Sequence, residues 1–124
     1  MNKQKIYKLI SILGATLLWG FWAYYVNHGT YESRLSSALC QGIISGLATS
    51  LMISALETLY KNLKSIIIPS LIVSLVTALS AIFIHYLIGT SEIIKTVSPA
   101  VCVSLIFSLF TSYNLKLNTI RESV

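Results

Sequence analysis

The sequence predicts an all-α membrane protein of four transmembrane helices, on three observations: its composition, four apolar runs of similar length, and a one-sided placement of its basic residues. The 124 residues are 55% hydrophobic and only 10% charged, and the mean hydropathy is +0.77. A soluble domain carries about 25% charged residues to keep its surface in water. Nine Lys and Arg with four Asp and Glu cannot cover a chain of this size, so apolar surface must face lipid.

The apolar runs are Ile6 to Val26, Ala38 to Tyr60, Ile66 to Ile88 and Val97 to Leu115. Each is near the roughly 20 residues a helix needs to span a hydrocarbon core of about 30 Å. The polar breaks between them are short, so residues 1–124 are expected to form a single four-helix transmembrane domain. Lys3, Lys5 and Lys8 precede the first run as they would in a signal peptide. That run, however, is longer than an h-region and ends in Phe21-Trp22-Ala23-Tyr24-Tyr25 with no small-x-small cleavage site, so it reads as an uncleaved first helix.

Orientation follows from the basic residues beside the spans. Lys3, Lys5, Lys8, Lys61, Lys64, Lys116 and Arg121 fall on one side, and Arg34 and Lys95 on the other. The expected topology therefore has both termini cytoplasmic, in a multi-pass protein of the cell's inner (plasma) membrane. Trp19, Trp22, Tyr24, Tyr25 and Tyr86 would form the outer aromatic belt, with Tyr7, Tyr60 and Tyr113 at the inner face. Gly29 and Gly89 are expected to stop the first and third helices. Ser98-Pro99 reads as the N-cap and first position of the fourth, and Pro69 lies near the start of the third.

The two halves resemble each other. Gly29-Thr30-x-Glu32 recurs as Gly89-Thr90-x-Glu92, and Ser36-x-Ala38-x-Cys40 as Ser98-x-Ala100-x-Cys102. Two parallel helical-hairpin repeats, related by an axis along the membrane normal, are the expected architecture. The Gly-Thr-x-Glu pattern also has a plain reading as helix punctuation, with Gly ending one helix, Thr capping the next and Glu at its positive end. Helices two to four carry stripes of small residues: Gly42, Gly46, Ser50, Ser54; Ser70, Ser74, Ala78, Ala81; and Ala100, Ser104, Ser108, Ser112. Such stripes let helices approach closely in lipid, where little hydrophobic force drives association.

Chemistry-bearing residues are few. Glu57 is the one acid inside an apolar span and a candidate coupling residue, although Lys61 at i+4 offers it a simple ion pair. His85 and Gln41 are the other candidates for coupling or for binding a substrate. His28, Glu32, Arg34, Glu92 and Lys95 are expected to ring an outer mouth, and Cys40 and Cys102 form a candidate disulfide if the repeat sets them at one depth.

No Cys/His ligand spacing, nucleophile with its base, paired carboxylates or phosphate loop is present, so no metal, no cofactor and no enzymatic activity are expected. The net charge of +5 is scattered at helix ends without interleaved aromatics, which argues against nucleic acid. In size alone the chain resembles small multidrug exporters and fluoride channels. It lacks their carboxylate midway along helix one and their balanced loop charge, so the resemblance implies nothing about residues. Two functions fit: an oligomeric transporter or channel for a small solute or ion, or an accessory subunit of a larger membrane complex. The lipid bilayer is the one certain partner, joined by further copies of the chain or by the subunits of that complex.

Overall fold

The computed structural model describes residues 3–122 and forms four helices from them: α1 (Lys3–Val26), α2 (Tyr31–Leu63), α3 (Ile67–Leu87) and α4 (Ile93–Glu122). All four are long and apolar enough to cross a membrane. Turns 27–30 and 88–92 lie together at one end, hereafter the hairpin end. Segment 64–66 and the outer ends of α1 and α4 make the opposite, terminal end.

Two helices outrun the spans expected from hydropathy. Helix α2 begins at Tyr31 rather than Ala38, and α4 runs from Ile93 to Glu122 rather than from Val97 to Leu115. Hydropathy marks where a chain meets hydrocarbon, whereas a helix continues until its backbone bonding is interrupted. Thr30 starts α2 early: its backbone is extended (φ −67°, ψ 159°) and its hydroxyl accepts the Ser33 N–H at 3.3 Å. The 33 residues of α2 span about 50 Å at ~1.5 Å per residue, so its polar turns stand outside any bilayer core. Glu32, Arg34 and Lys95 therefore sit on helical turns and not in loops.

Ser98-Pro99 does not open α4; Pro99 lies inside the helix. Proline has no N–H to donate to the carbonyl four residues earlier, which here is Lys95 O. The Trp22 indole of α1 donates to that same oxygen at 2.9 Å. A neighbouring helix thus satisfies the group that proline frees, the usual condition for proline inside a membrane helix.

The packing is a diamond. Helix α1 lies along α2, α3 lies along α4, α2 and α4 touch across the short diagonal, and α1 and α3 do not meet. The first pair closes through glycine: a Cβ on Gly42 would stand 2.9 Å from Thr16 O, and one on Gly20 3.2 Å from Ala38 O. The second closes through serine, with Ser70 and Ser112 hydroxyls 3.1 Å apart and Ser74 and Ser108 3.4 Å apart. Met52, Leu56 and Val73 form the small apolar core, with Phe107 and Leu115 against it. Among the described residues, every buried side-chain nitrogen and oxygen has a hydrogen-bond partner.

Candidate functional site

The hairpin end buries a polar chain centred on His85, which is 0% exposed. Gly89 (φ +70°) lets the backbone turn back at the end of α3, so Gly89 N–H reaches Tyr86 O at 3.2 Å and Thr90 N–H reaches His85 O at 3.0 Å. This pair of bonds is a Schellman closure, in which a left-handed residue folds the chain back over the last turn. It delivers the Thr90 hydroxyl to His85 Nδ1 at 2.7 Å, and Ser37 Oγ stands 3.3 Å beyond. On the other ring nitrogen, Nε2 lies 2.6 Å from Gln41 Oε1, and Gln41 Nε2 donates to Ser45 Oγ at 3.3 Å. Because a carboxamide oxygen only accepts, His85 Nε2 carries the hydrogen, and in the neutral ring Nδ1 accepts from Thr90.

A second buried cluster ties α1 to α4. Asn27, 2% exposed, donates from Nδ2 to Ala23 O and to Thr96 Oγ1, both at 2.8 Å. Its Oδ1 accepts from Ser91 Oγ and from Glu92 N–H, both at 3.1 Å. An asparagine just past the end of α1 therefore serves the free Glu92 N–H and the Ser91 hydroxyl just before α4, a cap delivered from another helix.

The repeat-related residues hold different jobs. Thr30 is exposed and caps α2, whereas Thr90 is buried and bonded to His85. Helix punctuation thus accounts for Thr30, whereas in the second motif Gly89 ends α3 but Thr90 bonds His85 instead of capping α4. Among the rim residues, Glu92 pairs with Lys95 at 3.2 Å, the only ion pair among the described residues. Arg34 stacks over Tyr24 at 4.2 Å and donates from Nε to Tyr24 O, while His28 and Glu32 are exposed. Cys40 is half-buried and Cys102 exposed, and both are free thiols.

Below the His85 chain, toward the terminal end, a cavity of about 40 Å³ touches Trp19, Gln41, Met52, Thr77 and Ser104. Trp19 therefore points into the bundle instead of joining an aromatic belt. Further down the bundle, between α1, α2 and α4, a groove of about 750 Å³ opens at the terminal end. Lys5 and Lys8 of α1, Glu57 of α2, and Asn114 and Asn118 of α4 line it, with Ile53, Phe107 and Phe110. Its cause is the way α1 is fastened. Trp22, Asn27 and His28 tie the end of α1 and the turn after it to the start of α4 at the hairpin end, and among the described residues no side-chain hydrogen bond joins α1 to α4 near Lys5 to Ser11.

Glu57 is exposed to this groove and forms no ion pair with Lys61, contrary to the spacing-based expectation. Both groups are exposed, and an i,i+4 pair on a helix surface contributes only a few tenths of a kcal/mol. Sequence reasoning missed Asn27, Trp22, Ser37 and Thr96. One signal for Trp22 was present: a proline in a membrane helix leaves a carbonyl that needs a donor from elsewhere. Comparison with family models, curated proteins and solved structures finds no match, so the geometry of the chain itself carries the functional reading.

Proposed function

We propose that this multi-pass membrane protein moves a small solute or ion, with both termini on the cytoplasmic side of the inner (plasma) membrane. The observation that supports the reading is the succession along the bundle of an open groove between α1, α2 and α4, a small cavity, and a buried polar chain between α2 and the end of α3. The groove holds Glu57 and is open at the terminal end. Beyond it lie the small cavity and then Gln41, His85, Thr90 and Ser37, packed shut at the hairpin end. A site accessible from one side and closed on the other is the resting geometry that alternating access requires.

Reporter fusions in segment 64–66 and at the C-terminus should report cytoplasm, and a fusion within 27–30 the exterior, because the basic residues favour that orientation. The reverse pattern would overturn the topology. For transport, proteoliposomes are challenged with a panel of alkali cations, halides, and small organic cations and anions. At least one should enter faster than into protein-free vesicles. Glu57→Gln should abolish that flux or flatten its dependence between about pH 5 and 9, since glutamine keeps the shape but cannot exchange a proton. Wild-type flux in Glu57→Gln throughout would remove the coupling role.

The accessory-subunit reading has its own support, because every buried polar side-chain atom among the described residues is already paired, as in a solid scaffold. On that reading no member of the panel is transported.

A further inference from the structure

We propose that the terminal-end groove is a binding site for an amphipathic monoanion, a molecule with one acidic head and an apolar tail, that enters sideways from the bilayer leaflet between α1 and α4. This rests on the transport reading, for which it names the substrate class.

The lining is graded by position along the helices. Lys5 and Lys8, Asn114 and Asn118 stand nearest the terminal end, where a headgroup would lie. Ser11, Ser54 and Thr111 come between, and Ile53 and Phe107 lie deepest along α2 and α4, with the largely exposed Phe110 at the lip. A wholly apolar lipid tail would leave the amides and charges of the mouth without partners, and a wholly polar solute would leave the aromatic floor bare. A ligand with one polar and one apolar end satisfies both. At about 750 Å³ the groove lies within the roughly 300–1,000 Å³ of small-molecule sites.

Charge sets the sign of the head. Two lysines and one carboxylate line the groove, a formal excess of one positive charge. Lysine places that charge on a long flexible stem whose methylenes can lie along the apolar wall while the ammonium stays at the interface. The start of α1 carries no acidic residue to oppose an incoming anion. The route follows from how the helices are tied. Among the described residues, the side-chain bonds between α1 and α4 and their adjoining turns lie at the hairpin end, from Trp22 to Lys95, Asn27 to Thr96 and His28 to Ser91. The other ends diverge around the groove, and divergence of two outer-facing helices opens toward lipid.

The test uses the full chain purified in a non-ionic detergent and a dansyl-labelled fatty acid as probe. Saturable fluorescence is expected at the protein, displaced by an unlabelled fatty acid and not by the alkyl trimethylammonium of equal chain length. Lys5→Gln with Lys8→Gln should weaken binding by roughly tenfold, which corresponds to about 1.4 kcal/mol across two charge contacts. Glu57→Gln should act in the opposite direction and tighten it, because the like charge is removed from the groove. Acetate, a head without a tail, should not compete at the concentration where the fatty acid does.

Equal displacement by the cationic amphiphile, or affinity unchanged in the lysine variant, would overturn the proposal. A tightening in Glu57→Gln also distinguishes this from misfolding, which lowers affinity in every variant. Binding that follows this pattern in a protein with no flux would leave the site standing and remove the transport reading. Flux without such binding would do the reverse.

Discussion

Gly42→Leu is expected to detach α1 from α2 and to be the most destabilising single change in the bundle. Any side chain at position 42 begins with a Cβ placed 2.9 Å from Thr16 O, a backbone atom that cannot rotate away. Overpacking of a closed interface costs about 1–3 kcal/mol, and a leucine adds three more heavy atoms to the clash. In lipid no hydrophobic force restores the contact, because the detached faces are as well solvated by acyl chains as by each other. Detergent-denaturation midpoints should therefore fall sharply for Gly42→Leu. Gly14→Leu is the internal control: nothing lies within 4 Å of a Cβ at Gly14, and its midpoint should stay at the wild-type value. Equal behaviour of the two variants would show that glycine contact does not hold α1 in place. The groove would be lost with α1 in the first variant, since Lys5, Tyr7, Lys8 and Ser11 form its α1 wall.

His85→Phe should come next in magnitude, and its expected signature is a sign and not only a size. The ring is 0% exposed and bonded on both nitrogens, so phenylalanine orphans Gln41 Oε1 on one side and removes the partner of the Thr90 hydroxyl on the other. An unsatisfied buried group costs about 1–3 kcal/mol. Hydrogen bonds inside membrane proteins average nearer 0.6 kcal/mol because unfolded helices find other partners in the bilayer. The larger figure should apply to Gln41, which is 1% exposed and retains only Ser45. Removing both partners, in His85→Phe with Gln41→Leu, should then destabilise less than the sum of the single changes, by on the order of 1 kcal/mol. Additive losses in that double-mutant cycle would mean that water or a rotamer change already repairs the single variant.

The overlap between sequence and structure divides by the range of the interactions involved. Four helices were legible because a 20-residue apolar run has few other fates in lipid, and Gly29 and Gly89 were legible as stops because positive φ favours glycine. The early start of α2 was missed although its signal was local. Reading Gly-Thr-x-Glu as helix punctuation already puts the cap at Thr30, whereas hydropathy alone places the start of the span at Ala38. Pro99 misled for a related reason: proline tolerates a helix's first turn so well that its presence further in, supported from Trp22, was not considered.

Of the candidate site residues, His85, Gln41 and Glu57 were visible because polar groups near or inside apolar spans are rare enough to be conspicuous. Their relations were not visible. That His85 bonds Gln41 across two helices, and that Glu57 faces a groove instead of Lys61, depends on the rotation of each helix about its own axis. The apolar surface gives little guidance on rotation, since large side chains such as Leu17, Phe21, Leu51, Leu79 and Phe110 all face outward on different helices.

By itself, then, the sequence determined that the chain forms four helices long and apolar enough to cross a membrane, and where along the chain each apolar span lies. Depth is a property of one segment in contact with lipid or water, and composition sets it directly. Only the tertiary structure decided that α1 is tied to α4 at the hairpin end, that Asn27 caps a helix not its own, and that a groove opens beside Glu57. Those outcomes turn on angstrom-scale contacts at Gly20, Gly42 and Thr16 and on hydrogen bonds between residues more than sixty positions apart, such as Asn27 with Thr96. Such contacts come from how helices cross and rotate: the small-residue stripes mark which faces pack, as at Gly42, Ser70 and Ser108, but not which helix each face meets.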